Sequence, residues 1–425
     1  MRAPGEAGEV IPDNERRDPD LSRRAFLRGA AAGGLTLAGG CKYGTQLFLI
    51  HDTPKAPAQQ PAWAGSRVQR YRPLGRTGFQ MSDISFGCSG LDDAAVARRG
   101  AERGVTYFDT SPDYSRAGSE LALGTGLRGR RRDALFIVSK FCTPDGHLAT
   151  DAPVATVIAS VEGSLRRLGI DYLDLCHIHA CNSLDRLMAP NIHEAFDRLK
   201  QAGKVRFIGV SSHTPDLETV MAHAVDSGRF DVIMVAYNFR NWPDLTNIFR
   251  RAHERGVGVV AMKTLKGARH TQLADFTPSE RESFAQAAFK WVLSNPHVSG
   301  LVVTMSRREQ IDEYLYASGQ AVTASDVSLL EKYDRLVARD YCRPGCGACL
   351  DACPYGVPID DVLRYDMYAR NYGQRREAAR LYAELDVDRR ADHCATCSAP
   401  CERTCPFELP IRDKLARAHH RLACA

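Results

Sequence analysis

The sequence predicts an α/β fold, a (β/α)8 TIM barrel over residues 67–335, followed by a smaller, mainly helical C-terminal domain over residues 336–425. Three observations carry this reading. Eight short apolar runs recur over about 250 residues, the size expected of eight strand–helix units closed into a barrel. Segments with helical spacing lie between most of these runs. Beyond them cysteines crowd between Cys342 and Cys405, which marks a local site and not a framework spread over the chain.

Residues 1–66 read as a targeting segment and a linker. Ser22-Arg23-Arg24-Ala25-Phe26-Leu27-Arg28 precedes a Gly/Ala-rich run from Gly29 to Gly40, too short and too small-sided for a transmembrane span. The stretch resembles a twin-arginine export signal; the alternative is a disordered basic tail. The resemblance implies the twin-arginine (Tat) export machinery as a partner and a periplasmic or membrane-associated location. That route carries proteins already folded around a cofactor. Cys41, after Leu37-Ala38-Gly39-Gly40, is a loose lipobox match and a candidate lipid anchor, and Pro54 to Gly65 reads as a linker. The net charge of +5, from 56 basic against 51 acidic residues, argues for no polyanionic partner. The run Arg128-Gly129-Arg130-Arg131-Arg132 reads as a solvated helix end, so no nucleic-acid partner is expected.

The barrel opens with a hairpin from Tyr71 to Ser82, turning at Arg76-Thr77-Gly78. The eight predicted strands are Ile84 to Cys88, Val105 to Thr110, Leu135 to Phe141, Tyr172 to His179, Val205 to Ser211, Val232 to Tyr237, Val257 to Lys263 and Leu301 to Met305. Helical spacing is clearest over Pro153 to Leu168 and Ile192 to Ala202.

Polar residues at the strand ends are the candidates for chemistry. The second strand ends in Asp109, the third in Ser139-Lys140 and the fourth in His177-Ile178-His179, with Tyr114 on the loop after the second. Alternation along a strand places Asp109, Lys140 and His179 in one layer around the mouth, with His177 one layer deeper, read as a satisfied core histidine in preference to a second catalytic group. Asp109 could instead cap the next helix and Tyr114 pack a loop. An ammonium beside a phenol lowers its pKa, so Tyr114 is expected to act as a general acid, with Lys140 its modulator and Asp109 holding Lys140. The expected job is giving a proton to a carbonyl oxygen while hydride arrives at its carbon, His179 orienting the carbonyl.

From about Tyr71 to Tyr314 the chain resembles an aldo-keto reductase. Asp109, Tyr114, Lys140 and His179 fall on that family's catalytic tetrad, and Tyr71-Arg-Pro-Leu-Gly-Arg-Thr-Gly78 and Gly169-Ile-Asp-Tyr-Leu-Asp-Leu175 also match. The resemblance implies a cofactor, NADP(H) or NAD(H), lying across the mouth without a Rossmann fingerprint, and a small-molecule carbonyl substrate. It places Ser211 and Ser212 at the nicotinamide amide, Lys263, Leu265 and Gly267 on the pyrophosphate loop, and Arg307, Gln310 and Glu313 on the adenosine side. The chain departs from the family pattern in three respects. Met234 replaces a frequent glutamine, Thr304 and Gln310 replace basic contacts to a 2′-phosphate, and Tyr114 is followed by an extended Ser115-Arg116-Ala117-Gly118. Arg307 or Arg308 could supply the missing charge, a mild preference for NADPH.

The cysteines form two runs, Cys342-x3-Cys346-x2-Cys349-x3-Cys353-Pro354 and Cys394-x2-Cys397-x3-Cys401-x3-Cys405-Pro406. Two runs ending in Cys-Pro resemble a bacterial two-cluster ferredoxin, so the C-terminal domain is expected to be a ferredoxin-like iron-sulfur domain holding two 4Fe-4S clusters. The resemblance assigns Cys342, Cys346, Cys349 and Cys405 to one cluster and Cys394, Cys397, Cys401 and Cys353 to the other. Each run is one residue off the simplest spacing. Four-thiolate zinc sites and disulfides are the competing readings, with the repeated Cys-x3-Cys-Pro ending favouring iron. Between the runs, Arg375 to Leu385 reads as a helix able to pack beside the barrel.

Two functions remain open from sequence. One is an exported NAD(P)H-dependent carbonyl reductase whose clusters shape the C-terminal lobe or serve an electron-transfer partner. The alternative is an exported iron-sulfur electron-transfer or redox-sensing protein with a catalytically silent barrel.

Overall fold

A computed structural model describes residues 59–213, 216–240, 244–265, 282–336, 339–343, 346–371 and 374–423. The export signal, Cys41, linker residues 54–58, Lys266 and Gly267 lie outside the described residues.

A hairpin of β1 (Tyr71–Pro73) and β2 (Gln80–Ser82) comes first, its turn completed by Gly78 in the left-handed region at φ 74. The barrel strands are β3 (Ile84–Gly87), β4 (Tyr107–Asp109), β5 (Phe136–Lys140), β8 (Leu173–Ile178), β9 (Val205–Ser212), β10 (Val232–Ala236), β11 (Gly258–Met262) and β12 (Gly300–Thr304). A small hairpin, β6 (Cys142–Thr143) and β7 (Gly146–His147), stands between β5 and β8. The eight barrel strands pair in parallel in chain order, and β12 closes on β3 with Leu301 opposite Ile84.

Strand alternation divides the apolar residues into two cores. Ile84, Phe86, Phe108, Ile137, Cys176, Ile178, Ile208 and Val210 face outward to the helices, while Tyr107, Phe136, Val138, Leu175, Val232, Met234, Val260 and Val302 fill the barrel. Leu74 and Met81 of the hairpin join the inner set and plug the N-terminal end. The inward column therefore runs Phe136, Val138, Lys140 on β5 and Leu175, His177, His179 on and after β8. It is apolar at the bottom and polar at the top, as a barrel with its site at the C-terminal strand ends requires.

His177 is fully buried, and neither ring nitrogen has a hydrogen-bond partner, so it is not the satisfied core histidine its spacing suggested. Gly209 makes room for it, since a Cβ there would stand 2.4 Å from His177 Nδ1. Burial holds the His177 ring well below the ordinary histidine pKa, so it sits in the core as a neutral group.

The C-terminal segment builds a separate core from Val357, Ile359, Val362, Ala378, Tyr382, Ile411, Leu415 and Leu422, carried on helices Ile359–Asn371, Arg375–Ala383 and Ile411–Ala423. Among the described residues it contains no strand. Its contacts reach the mouth of the barrel. Lys263 Nζ donates to Tyr368 Oη at 2.8 Å, Gln374 Nε2 to Ser89 Oγ at 3.0 Å, and Arg380 Nη1 to the Asp145 carbonyl at 2.7 Å.

Candidate active site

A cavity of about 1070 Å³ opens at the C-terminal ends of the barrel strands. Asp109, Tyr114, Lys140 and His179 all line it. Lys140 Nζ donates to Asp109 Oδ1 and to the Thr110 carbonyl, each at 2.7 Å, and stands 4.8 Å from the centroid of the Tyr114 ring. The Tyr114 and His179 rings meet edge-on at 6.0 Å. Parallel pairing of β4, β5 and β8 brings these groups together, although 31 residues separate Asp109 from Lys140.

Tyr114 is set by an unusual turn. Ser115, Arg116 and Ala117 adopt φ values of 52, 50 and 70, three successive non-glycine residues in the left-handed region, where each L residue is strained. The turn is closed by Ala117 N–H donating to the Pro112 carbonyl at 2.7 Å. The residues that lengthen this loop thus form a fixed bend that returns the tyrosine to the cavity.

Burial dominates the protonation states. It pushes the Tyr114 phenol well above the ordinary tyrosine pKa, although the Lys140 ammonium pulls the other way. The expectation of a lowered phenol pKa is thus reversed in the resting site: Tyr114 waits as a neutral proton donor. Burial opposes charge on Lys140, but Asp109, Tyr114 and Asp113 together hold it above the ordinary lysine value, and it stays an ammonium. Burial also pushes the Asp109 carboxyl up against the pull of Lys140. His179 is held well below the ordinary histidine value by burial, then by His147 and Lys140, so it is a neutral imidazole that can orient a carbonyl but does not carry a spare proton.

Of the residues assigned to cofactor binding, Ser211, Lys263, Leu265, Arg307 and Gln310 line the same cavity, together with Met234 and Thr304. Ser212 does not, because strand alternation on β9 turns it away from its neighbour Ser211. Glu313 does not either: it is fully buried behind the wall. Burial raises its pKa from 4.5 to about 7, against the Ser283 hydroxyl and the Arg307 guanidinium. A carboxyl shifted upward favours the fold while protonated, and that contribution is lost as pH rises from 4.5 to about 7. The gap corresponds to roughly 3 kcal/mol. Glu313→Gln is therefore expected to match the wild type near pH 4 and to exceed its unfolding free energy by about 3 kcal/mol near pH 8. Urea melts at the two pH values check this, and equal stability at both would rule out the buried, raised carboxyl.

Sequence reasoning missed part of the site's surroundings. Asp113, Cys142, His147 and His213 stand within reach of His179, as the ion-pair, hydrogen-bond and electrostatic contacts at that ring show. Arg364, Tyr368, Gln374 and Arg380 enter from the C-terminal helices. Cys142 and His147 flank the turn Thr143-Pro144-Asp145-Gly146 directly after a barrel strand, which was a readable signal. The C-terminal arginines carried none, since only long-range packing brings them here.

The cysteines fall into two neighbourhoods. Cys342, Cys346, Cys349 and Cys405 line one small hollow with Phe407 and Ile411. Burial, then the thiols of Cys342, Cys405, Cys401 and Cys346, pushes Cys349 up to about 12. Burial, then Cys353, Cys401 and Cys397, does the same to Cys394. All eight are free thiols, so the disulfide reading finds no support among the described residues.

Residues 91–335, more than half of the chain, match the aldo/keto reductase family. The chain belongs to that family. The L-galactose dehydrogenase of Arabidopsis thaliana is 32% identical over 284 residues, spanning 58% of this chain and 87% of the relative. The L-glyceraldehyde 3-phosphate reductase of Escherichia coli K12 is 23% identical over 303 residues, again 58% of this chain and 87% of the relative. Among solved structures, aldo-keto reductase AKR11C1 from Bacillus halodurans, in its holo form, superposes with a TM-score of 0.52 at 26% identity, covering 62% of this chain and 95% of that one. This aldo/keto reductase is accordingly an NAD(P)H-dependent oxidoreductase with an eight-stranded parallel barrel.

Proposed function

We propose that this aldo/keto reductase reduces the carbonyl group of a small molecule, with Tyr114 as proton donor. The observation that carries this is the buried Lys140–Asp109 pair at 2.7 Å, lying against the Tyr114 ring in a cavity that also holds His179. The neutral phenol donates to the developing alkoxide, the Lys140 ammonium then stabilises the phenolate left behind, and Asp109 keeps that ammonium in place. His179 hydrogen-bonds the carbonyl oxygen. A reduced nicotinamide, when bound, supplies the hydride. The cavity fits such a cofactor: its volume is at the upper end for a ligand site, and Lys263 and Arg307 in its lining are cations able to meet phosphates. The test is transfer of deuterium from labelled NADPH to the carbinol carbon across a panel of aldehydes and ketones. Cofactor oxidation without label in an alcohol product would sink the proposal.

The C-terminal cysteines are proposed to hold two 4Fe-4S clusters, Cys342, Cys346, Cys349 and Cys405 for one and Cys353, Cys394, Cys397 and Cys401 for the other. In support, each run closes with Cys-x3-Cys-Pro, the ferredoxin-type ending, and Cys405 of the second run lines one hollow with Cys342, Cys346 and Cys349 of the first. Chain purified without oxygen is expected to hold about eight iron atoms, and Cys349→Ala about four. An iron-free, zinc-loaded wild type would reverse the assignment. A second reading, electron exchange between clusters and barrel, is favoured by a cavity that Cys342 lines together with His213 and Lys263 of the barrel rim. Nicotinamide gives two electrons together and a cluster accepts one, so this reading needs a flavin-type intermediary. Cluster absorbance unchanged on rapid mixing with NADPH would count against it.

The residues Ser22 to Arg28 support export by the twin-arginine route, with Cys41 as a candidate anchor. Among the described residues no helix is long and apolar enough to cross a membrane.

A further inference from the structure

Beside the tetrad, Asp113, Cys142, His147 and His179 bring one ligand atom each to within 4.8 Å of one another, a convergence that occurs nowhere else among the described residues. Asp113 comes from the loop after β4, Cys142 and His147 from the small hairpin after β5, and His179 from the end of β8, so three loops of the barrel mouth meet here. Asp113 Oδ2 stands 3.6 Å from His179 Nδ1 and 3.6 Å from His147 Nε2. Cys142 Sγ stands 3.1 Å from the same His179 Nδ1. Around a tetrahedral zinc ion, with metal–nitrogen and metal–oxygen distances of about 2.1 Å and metal–sulfur of about 2.3 Å, neighbouring ligand atoms are roughly 3.4–3.6 Å apart. These three of the six separations lie within about half an ångström of those edges, and all six lie within 4.8 Å.

The donor chemistry agrees with the geometry. One thiolate, one carboxylate and two neutral imidazoles cancel the charge of a divalent ion, and a set of two nitrogens, a sulfur and a single oxygen suits zinc and not magnesium or calcium. Asp113 is 4% exposed, and its Oδ1 has no hydrogen-bond partner. A bond from the Cys142 thiol to His179 Nδ1 accounts for the 3.1 Å contact without a metal. It leaves Asp113 Oδ2, at 3.6 Å from both imidazole nitrogens, beyond hydrogen-bond distance of either ring.

We propose that Asp113, Cys142, His147 and His179 form a tetrahedral site for a zinc-type divalent cation. Four protein ligands close the coordination sphere, so the ion holds the three loops together and does not itself meet substrate. Metal on Nδ1 fixes the ring proton of His179 on Nε2, making the histidine a neutral hydrogen-bond donor. That last consequence rests on the carbonyl-reduction reading; the site itself does not.

The test is metal content of the full chain, purified with its iron and then exposed to excess zinc or cobalt. Wild type is expected to hold one zinc per chain more than His147→Gln, a substitution at a side chain 34% exposed and thus tolerated by the fold. The cobalt difference spectrum between wild type and His147→Gln is expected to show a thiolate-to-cobalt charge-transfer band that Cys142→Ser abolishes. Subtracting the variant removes metal taken up by the C-terminal cysteines. Equal zinc in wild type and His147→Gln, or a difference spectrum without the thiolate band, overturns the proposal. Neither readout depends on turnover, so a chain that reduces no carbonyl would leave it standing.

Discussion

Tyr114→Phe is expected to lower kcat for carbonyl reduction by about 10²–10⁴-fold while leaving cofactor affinity within about twofold of wild type. The substitution removes one oxygen and keeps the ring, so the contacts with Lys140 at 4.8 Å and His179 at 6.0 Å survive. What is lost is the only phenol of the tetrad, at the point where the alkoxide needs a proton. The resting protonation state sharpens this expectation. Because burial raises the phenol pKa, Tyr114 is in its acid form throughout the neutral range, and the alkaline loss of kcat lies above the ordinary tyrosine value of 10.0. A pH profile of kcat measured alongside the variant checks both parts. Full activity in Tyr114→Phe would remove Tyr114 from the mechanism, and an alkaline limb well below the ordinary value would show that Lys140, not burial, sets the phenol.

The barrel was legible because its physics is local. All eight apolar runs became strands, within two residues at either end, and the alternation that sends Phe108 outward and Tyr107 inward also sends Asp109, Lys140 and His179 to the mouth. Lys140 and Asp109 needed only strand order and side-chain period to be brought together, whereas Tyr114 also needed the left-handed bend at Ser115-Arg116-Ala117. The phenol pKa was misjudged because composition shows the neighbouring ammonium but not the depth at which both are buried. Ser212 and Glu313 were placed at the cofactor by motif, while their burial was a matter of packing. The ceiling of the cavity was illegible for a deeper reason. Tyr368 reaches Lys263 across 105 residues of sequence, and nothing in either local pattern specifies the other.

Lys140→Met is expected to destabilise the barrel by about 3–5 kcal/mol, because it leaves the Asp109 carboxylate buried without its cation. Lys140 and Asp109 side chains are 2% and 5% exposed, so solvent screens the pair little. Asp109 Oδ2 already lacks a partner, and Lys140 supplies the one hydrogen bond on Oδ1. Asp109→Asn in the Lys140→Met background removes the stranded charge and is expected to recover about half or more of the lost stability, since replacing both members of a buried pair costs far less than removing one. Activity should not follow. Without the ammonium the Tyr114 phenolate has no counter-charge, so the double variant stays slow by at least about 10²-fold even where it is well folded. Urea unfolding and kcat on wild type, both single variants and the double variant separate these effects. If the double variant regained activity along with stability, Lys140 would be a structural cation that happens to sit beneath the tyrosine; if stability failed to return, the lost energy would come from repacking around Thr110, whose carbonyl Lys140 also holds.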